Sequence, residues 1–145
     1  MKRILFVAFA AVLLCGCATM TASTFTSANR ENLVRLSTGI TRAQALDIMG
    51  VKNCEYNCDM STAKQTLKVK LNNPYRTEIV EVSGKKLEVL YYLIELNNAN
   101  CTVNDDELTP LVFEDAKLIG WGNNFLSGIM AAASEKKSAP VAVTQ

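Results

Sequence analysis

Gly39-Ile40-Thr41-Arg42-Ala43-Gln44-Ala45-Leu46-Asp47-Ile48-Met49-Gly50 is the stretch at which the hydrophobic period of the chain changes. Thr41 and Gln44 have capping-box spacing, in which the hydroxyl and the Gln side chain each satisfy a free backbone amide of the other. Ala45, Leu46, Ile48 and Met49 recur at helical spacing, and Gly50 is placed to end the helix as its C′ residue. Residues 41–49 are therefore predicted to be helical. Upstream, residues 30–36 set Leu33, Val34 and Leu36 against Arg30, Glu31 and Arg35, a short earlier helix broken by Ser37-Thr38-Gly39.

Beyond Gly50 the pattern alternates. Thr66-Leu67-Lys68-Val69-Lys70-Leu71 is strictly two-sided, and Asn72-Asn73-Pro74 punctuates it. Residues 77–82 and 87–96 are two β-rich runs joined by Ser83-Gly84-Lys85-Lys86, a hairpin loop by composition. The nearly unbroken apolar character of residues 87–96 makes that run the central strand. Residues 109–113 and 117–121 form a second hairpin around Glu114-Asp115-Ala116. The expected fold is α+β: two N-terminal helices packed on a small antiparallel sheet, of α-α-β-β-β type with a terminal hairpin. After it, residues 124–133 place Phe125, Ile129 and Met130 on one helical face, and residues 134–145 read as a loose tail with Pro140.

The chain has 145 residues, 49% of them hydrophobic, and a formal charge of +1, the size of one packed domain. The apolar residues crowd the N-terminus. Met1-Lys2-Arg3 supplies a positive start, residues 4–15 are uniformly apolar, and the run is too short to span a bilayer. Without Lys2 and Arg3, 13 basic residues face 14 acidic ones, so nothing steers the protein toward nucleic acid.

The run ends in Leu14-Cys15-Gly16-Cys17, which resembles the lipobox of bacterial lipoproteins. Cys17 is the expected acceptor, because a cut before Cys15 would put bulky Leu14 where a small residue is required. The resemblance implies a diacylglyceryl group and an N-acyl chain on Cys17, more than the single chain that anchors only marginally. Ala18 stands where such lipoproteins carry Asp when retained in the inner membrane, which implies the outer membrane, facing the periplasm. The expected organisation is a signal peptide at 1–16, a lipidated Ser/Thr/Ala-rich tether at 17–29, an α+β domain at 30–123, and a short helix with a disordered tail at 124–145.

Gly39-Ile40-Thr41, the apolar helix and Gly50 resemble the opening of the SmpA/OmlA (BamE-like) lipoproteins, whose motif is a Gly-Met-Thr helix start with a Gly close after. Asp105-Asp106-Glu107-Leu108-Thr109-Pro110-Leu111-Val112-Phe113, continuing through Leu118-Ile119-Gly120-Trp121-Gly122, resembles the C-terminal signature of a group of proteobacterial lipoproteins of related layout. Together these resemblances cover most of residues 33–122. Val51-Lys52 stands where the first family usually has Pro, and residues 53–63 form an insert outside its pattern. What carries over is fold and location, not barrel-assembly contacts.

Of five cysteines, Cys15 leaves with the signal and Cys17 is the acylation site, so Cys54, Cys58 and Cys101 remain. In an oxidising compartment three thiols point to one disulfide and one spare. Joining Cys101 to Cys54 or Cys58 would restrict the unfolded chain by roughly 4 kcal/mol, a Cys54 to Cys58 bond by about 2 kcal/mol, which favours a long clip. A redox or metal site at Cys54-Glu55-Tyr56-Asn57-Cys58 is the alternative, but redox pairs are spaced by two residues and the chain has no histidine to complete a zinc site.

Asn104-Asp105-Asp106-Glu107 lacks the alternating ligands and the Gly of a calcium loop, and its adjacent acids cannot converge across a cleft. With no histidine there is no Ser-His or Cys-His pair, and Gly84 and Gly120 lie in no phosphate loop. No cofactor, metal or catalytic set is expected. Gly120-Trp121-Gly122 admits a close neighbour at a strand end, so Trp121 is either a core residue or a partner-binding anchor. The function expected is therefore a non-enzymatic, lipid-anchored module that binds the bacterial membrane and an envelope protein complex or peptidoglycan. The alternative is a small-ligand or enzyme-inhibitor binder using a groove between helices and sheet.

Overall fold

The computed structural model describes residues 21–60, 65–96 and 101–138. The helix read from residues 41–49 is present as α2 (Arg42–Met49). Thr41 is its N-cap: the Gln44 amide donates to the Thr41 hydroxyl at 3.2 Å, and the Thr41 amide to Gln44 Oε1 at 2.8 Å. Gly50 closes α2 at φ +74°, where a side chain would be strained. The first helix begins earlier than expected. α1 (Ala22–Leu33) takes up most of the segment read as a tether, and its N-cap Thr21 accepts from the Thr24 amide. Its sequence is mostly Ser, Thr, Ala and Asn. Tertiary contacts through Phe25, 1% exposed, and Asn29, 2% exposed, hold it rather than a continuous apolar stripe.

Six strands follow: β1 (Asn53–Met60), β2 (Gln65–Asn72), β3 (Arg76–Val82), β4 (Lys85–Leu93), β5 (Leu108–Glu114) and β6 (Lys117–Trp121), then α3 (Asn123–Ser138). They form two sheets, an antiparallel β1–β2 hairpin and a four-stranded antiparallel sheet of order β3-β4-β5-β6. The α-α-β-β-β arrangement is thereby corrected: the chain is α+β, but the insert at 53–63 supplies a strand and a second sheet. A sixteen-residue helix also closes the C-terminal side, running into the segment read as a tail. The end of that tail, from residue 139, lies outside the described residues.

β4 lies between β3 and β5, as its apolar run requires, and its alternation divides the interior in two. Leu87, Val89, Tyr91 and Leu93 face a larger core with Phe25, Leu71, Leu108 and Val112, against which Phe125, Leu126 and Ile129 of α3 pack. Leu90 and Tyr92 face a smaller core with Leu36, Ala45, Met49, Leu111, Phe113 and Leu118 under α2. Arg42 of α2 reaches across to Glu88 at 2.8 Å.

The margins of the sheet differ. Residues just ahead of α2 seal β6: the Gly39 amide donates to the Leu118 carbonyl, the Leu118 amide to Ile40, and the Arg42 amide to Ala116. Among the described residues no strand pairs with the outer side of β3.

α1 and the β1–β2 hairpin close the end of the sheet where β4 finishes. Asn29 Nδ2 donates to the Leu93 carbonyl at 2.7 Å and to Asn73 Oδ1 at 3.0 Å. Asn73 Nδ2 in turn donates to Asn29 Oδ1 and to the carbonyls of Met49 and Gly50. One pair of buried amides thus fastens α1, the end of α2, the β2–β3 junction and the end of β4.

Candidate functional site

Of the residues singled out in the sequence, Cys17 lies outside the described residues. Cys58 and Cys101 are bonded to each other across 43 residues of sequence, with Cα atoms 5.7 Å apart. The bond joins the far part of β1 to the chain after β4, fixing the hairpin to the main sheet. Cys54 is not in this disulfide. It points into the larger core beside Leu71, and burial, with the Glu55 charge, pushes its thiol up from the usual cysteine range. A raised thiol is a poorer nucleophile near neutrality, opposite to the tuning of a reactive cysteine.

Cys54 and Cys58 are four residues apart on one strand, so their Cα atoms are separated by about 13 Å and they share a face. Neither can take the other's place in the bond to Cys101 while β1 holds its register.

Trp121 is half-buried against the smaller core at the end of β6. The close approach that its flanking glycines permit is used within the chain: the Phe125 ring lies over Gly120, where an added Cβ would come within 2.4 Å of the ring. Gly122, at φ +94°, turns the strand into α3; its amide donates to the Pro110 carbonyl and its carbonyl accepts from Leu126.

The acidic run at 104–107 forms a 3-10 turn ahead of β5. The Asn104 amide donates to Glu107 Oε2 at 2.6 Å, and Asp105 pairs with Arg76 at 2.8 Å. Arg76 also bridges Glu78 at 2.9 Å and lies over the Tyr91 ring at 4.2 Å. Its guanidinium charge is therefore already engaged by acids and an aromatic face.

Sequence reasoning missed the groups that gather at the α1 end. A cavity of about 290 Å³ is lined by Ala22, Tyr56, Asn57, Cys58 and Asp59, and another of about 190 Å³ by Ala22, Ser23, Thr26, Arg30, Glu95 and Leu96. Both open beside the first turn of α1 rather than between the helices and the main sheet. Burial pushes the Tyr56 hydroxyl up, helped by the charge of Glu107. No signal in the local pattern marks this site, because it is built from the hairpin that reads as a polar insert and the helix that reads as a tether.

Among the described residues no helix is long and apolar enough to cross a membrane, and no group of His, Cys, Asp and Glu stands close enough to hold a metal ion.

A family model described as a protein of unknown function (DUF3192) matches residues 18–127. No curated protein and no solved structure matches the chain. The matched region takes in every described element up to the first turn of α3, and the chain belongs to the DUF3192 family.

Proposed function

We propose that this member of the DUF3192 family is a lipid-anchored interaction module of the outer membrane, facing the periplasm and acting by holding other envelope components. Leu14-Cys15-Gly16-Cys17, at the end of an apolar run with a basic start, is the observation that carries the reading. Two findings and one sequence resemblance support it. The family match begins at residue 18, directly after Cys17, so the apolar run lies outside the shared region. The Cys58–Cys101 disulfide suits an oxidising compartment. The resemblance to SmpA/OmlA lipoproteins at residues 39–50 points to the same location.

The absence of histidine from the whole chain and the raised, buried thiol of Cys54 favour binding over acid-base or thiol chemistry. The partner is an envelope protein complex or peptidoglycan, and in-cell crosslinking with mass-spectrometric identification separates these two.

The test of the anchor is metabolic labelling with a fatty-acid analogue. Wild-type chain is expected to take up label and sediment with membranes, and Cys17→Ser to lose the label and be released. Label retained by Cys17→Ser would remove the reading.

A further inference from the structure

We infer that the end of the domain formed by α1 and the β1–β2 hairpin is a bilayer-docking surface, and that the opposite end, carrying the β3–β4 and β5–β6 turns, faces away from the bilayer. The inference rests on the anchoring at Cys17 proposed above and adds an orientation to it.

Two independent observations carry it. The first is reach. α1 starts at Ala22, so only five residue steps separate it from Cys17, and even fully extended they span at most about 17 Å. A lipid on Cys17 therefore keeps the start of α1 close to the headgroups. β4 runs nine residues away from this end, so the turn at Ser83-Gly84 stands about 30 Å further off. The β5–β6 turn is beside it, because Glu114 pairs with Leu87 and its carboxylate with Lys85. A flexible tether of the length read from the sequence would have let the domain tumble freely. The helix removes most of that freedom.

The second is where apolar side chains are left in water. Among the described residues five large hydrophobics are well exposed, and three of them, Val34 at 84%, Val51 at 72% and Leu67 at 43%, belong to this end. Val34 caps the C-terminus of α1. Val51 follows Gly50, whose carbonyl is held by Asn73 at the same junction. Leu67 lies directly opposite Cys58 in the hairpin. The three are spread across this end rather than clustered, since Val34 stands one helix length, about 18 Å, from Ala22, and each contributes by leaving water where it reaches the boundary between headgroups and acyl chains.

The test uses the full, lipidated chain on vesicles of phosphatidylethanolamine and phosphatidylglycerol that contain a lipid with a nitroxide headgroup. A fluorescent amino acid replaces Asn57, which lines the cavity beside Ala22, or Lys86, which is exposed near the far turn. Quenching is expected to be several-fold stronger at position 57 than at position 86. Equal quenching of a vesicle-bound chain, or stronger quenching at 86, would overturn the orientation and leave the anchor standing. A wild-type chain that fails to bind vesicles after acylation conditions would instead overturn the anchor.

Two variants separate reach from adhesion. Inserting about 20 Gly and Ser residues after Ala18 lengthens the reach to several tens of Å and is expected to shrink the difference between the positions. Val34→Glu with Val51→Glu should lower quenching at 57 while the chain stays on the vesicles. A difference that survives both changes would refute the two observations as its cause.

Discussion

Tyr92 is fully buried in the smaller core, and its hydroxyl has no hydrogen-bond partner among the described residues. Burial pushes its pKa up to about 12, against a smaller pull downward from Arg42. An unpaired buried hydroxyl is a cost that phenylalanine does not carry, so Tyr92→Phe is expected to raise stability by about 1 kcal/mol in urea titration. The phenol ionises near pH 10 in the unfolded chain and only near 12 in the folded one. Its contribution is thus complete below pH 10 and is lost as pH rises toward 12, and Tyr92→Phe should flatten that part of the stability profile.

Gly120 is the other informative residue, because the Phe125 ring occupies the space of its missing side chain. Gly120→Ala forces the ring aside and should cost about 1 to 3 kcal/mol, and combining it with Phe125→Leu should cost less than the two changes separately. The sequence marks Gly120 as a place of close approach but cannot say whose side chain comes near. That is decided by α3 folding back.

At the scale of elements, legibility follows how locally each one is held. α2 is written in its own residues, since the capping box and the Gly50 stop lie within one short segment. β4 is equally plain, because the part of it covered on both faces, from Leu87 to Leu93, is apolar at every position but Glu88. The β3–β4 turn is tighter than the four-residue loop read from composition: Val82 pairs with Lys85, leaving Ser83 and Gly84, both at positive φ, as the whole turn.

α1 and β1 are the misread elements. Neither carries its own stripe: among the described side chains α1 buries Phe25, Thr26 and Asn29, and β1 buries Cys54 and Cys58. Their order comes from contacts distant in sequence, and the Cys58–Cys101 bond is one of them. Closing 43 residues restricts the unfolded chain by roughly 4 kcal/mol, so Cys101→Ser should lower the melting temperature by something on the order of 10 °C. An unchanged value by calorimetry would mean that the hairpin is held without the bond.

For the molecule as a whole, the Asn29–Asn73 amide pair is the point where separate parts meet. Removing one amide leaves its buried partners unpaired. Asn29→Ala should therefore cost about 2 to 3 kcal/mol in chemical denaturation, more than a surface Asn change would. Nothing in the local sequence distinguishes Asn29 or Asn73 from an ordinary turn-former. The candidate surface at this end was illegible for the same reason, since it exists only once α1, the hairpin and the end of β4 are brought together.

The unequal margins of the main sheet have one more consequence. Because residues 39–42 already bond to Ala116 and Leu118 beside β6, two copies of the main sheet meeting edge to edge do so through β3, its margin left open among the described residues, which bears Arg76, Glu78 and Glu81. Such a meeting uses up both open sides at once. Edge-to-edge growth of this sheet therefore stops at a pair, and crowding the molecules together opens no route through it to an endless ribbon.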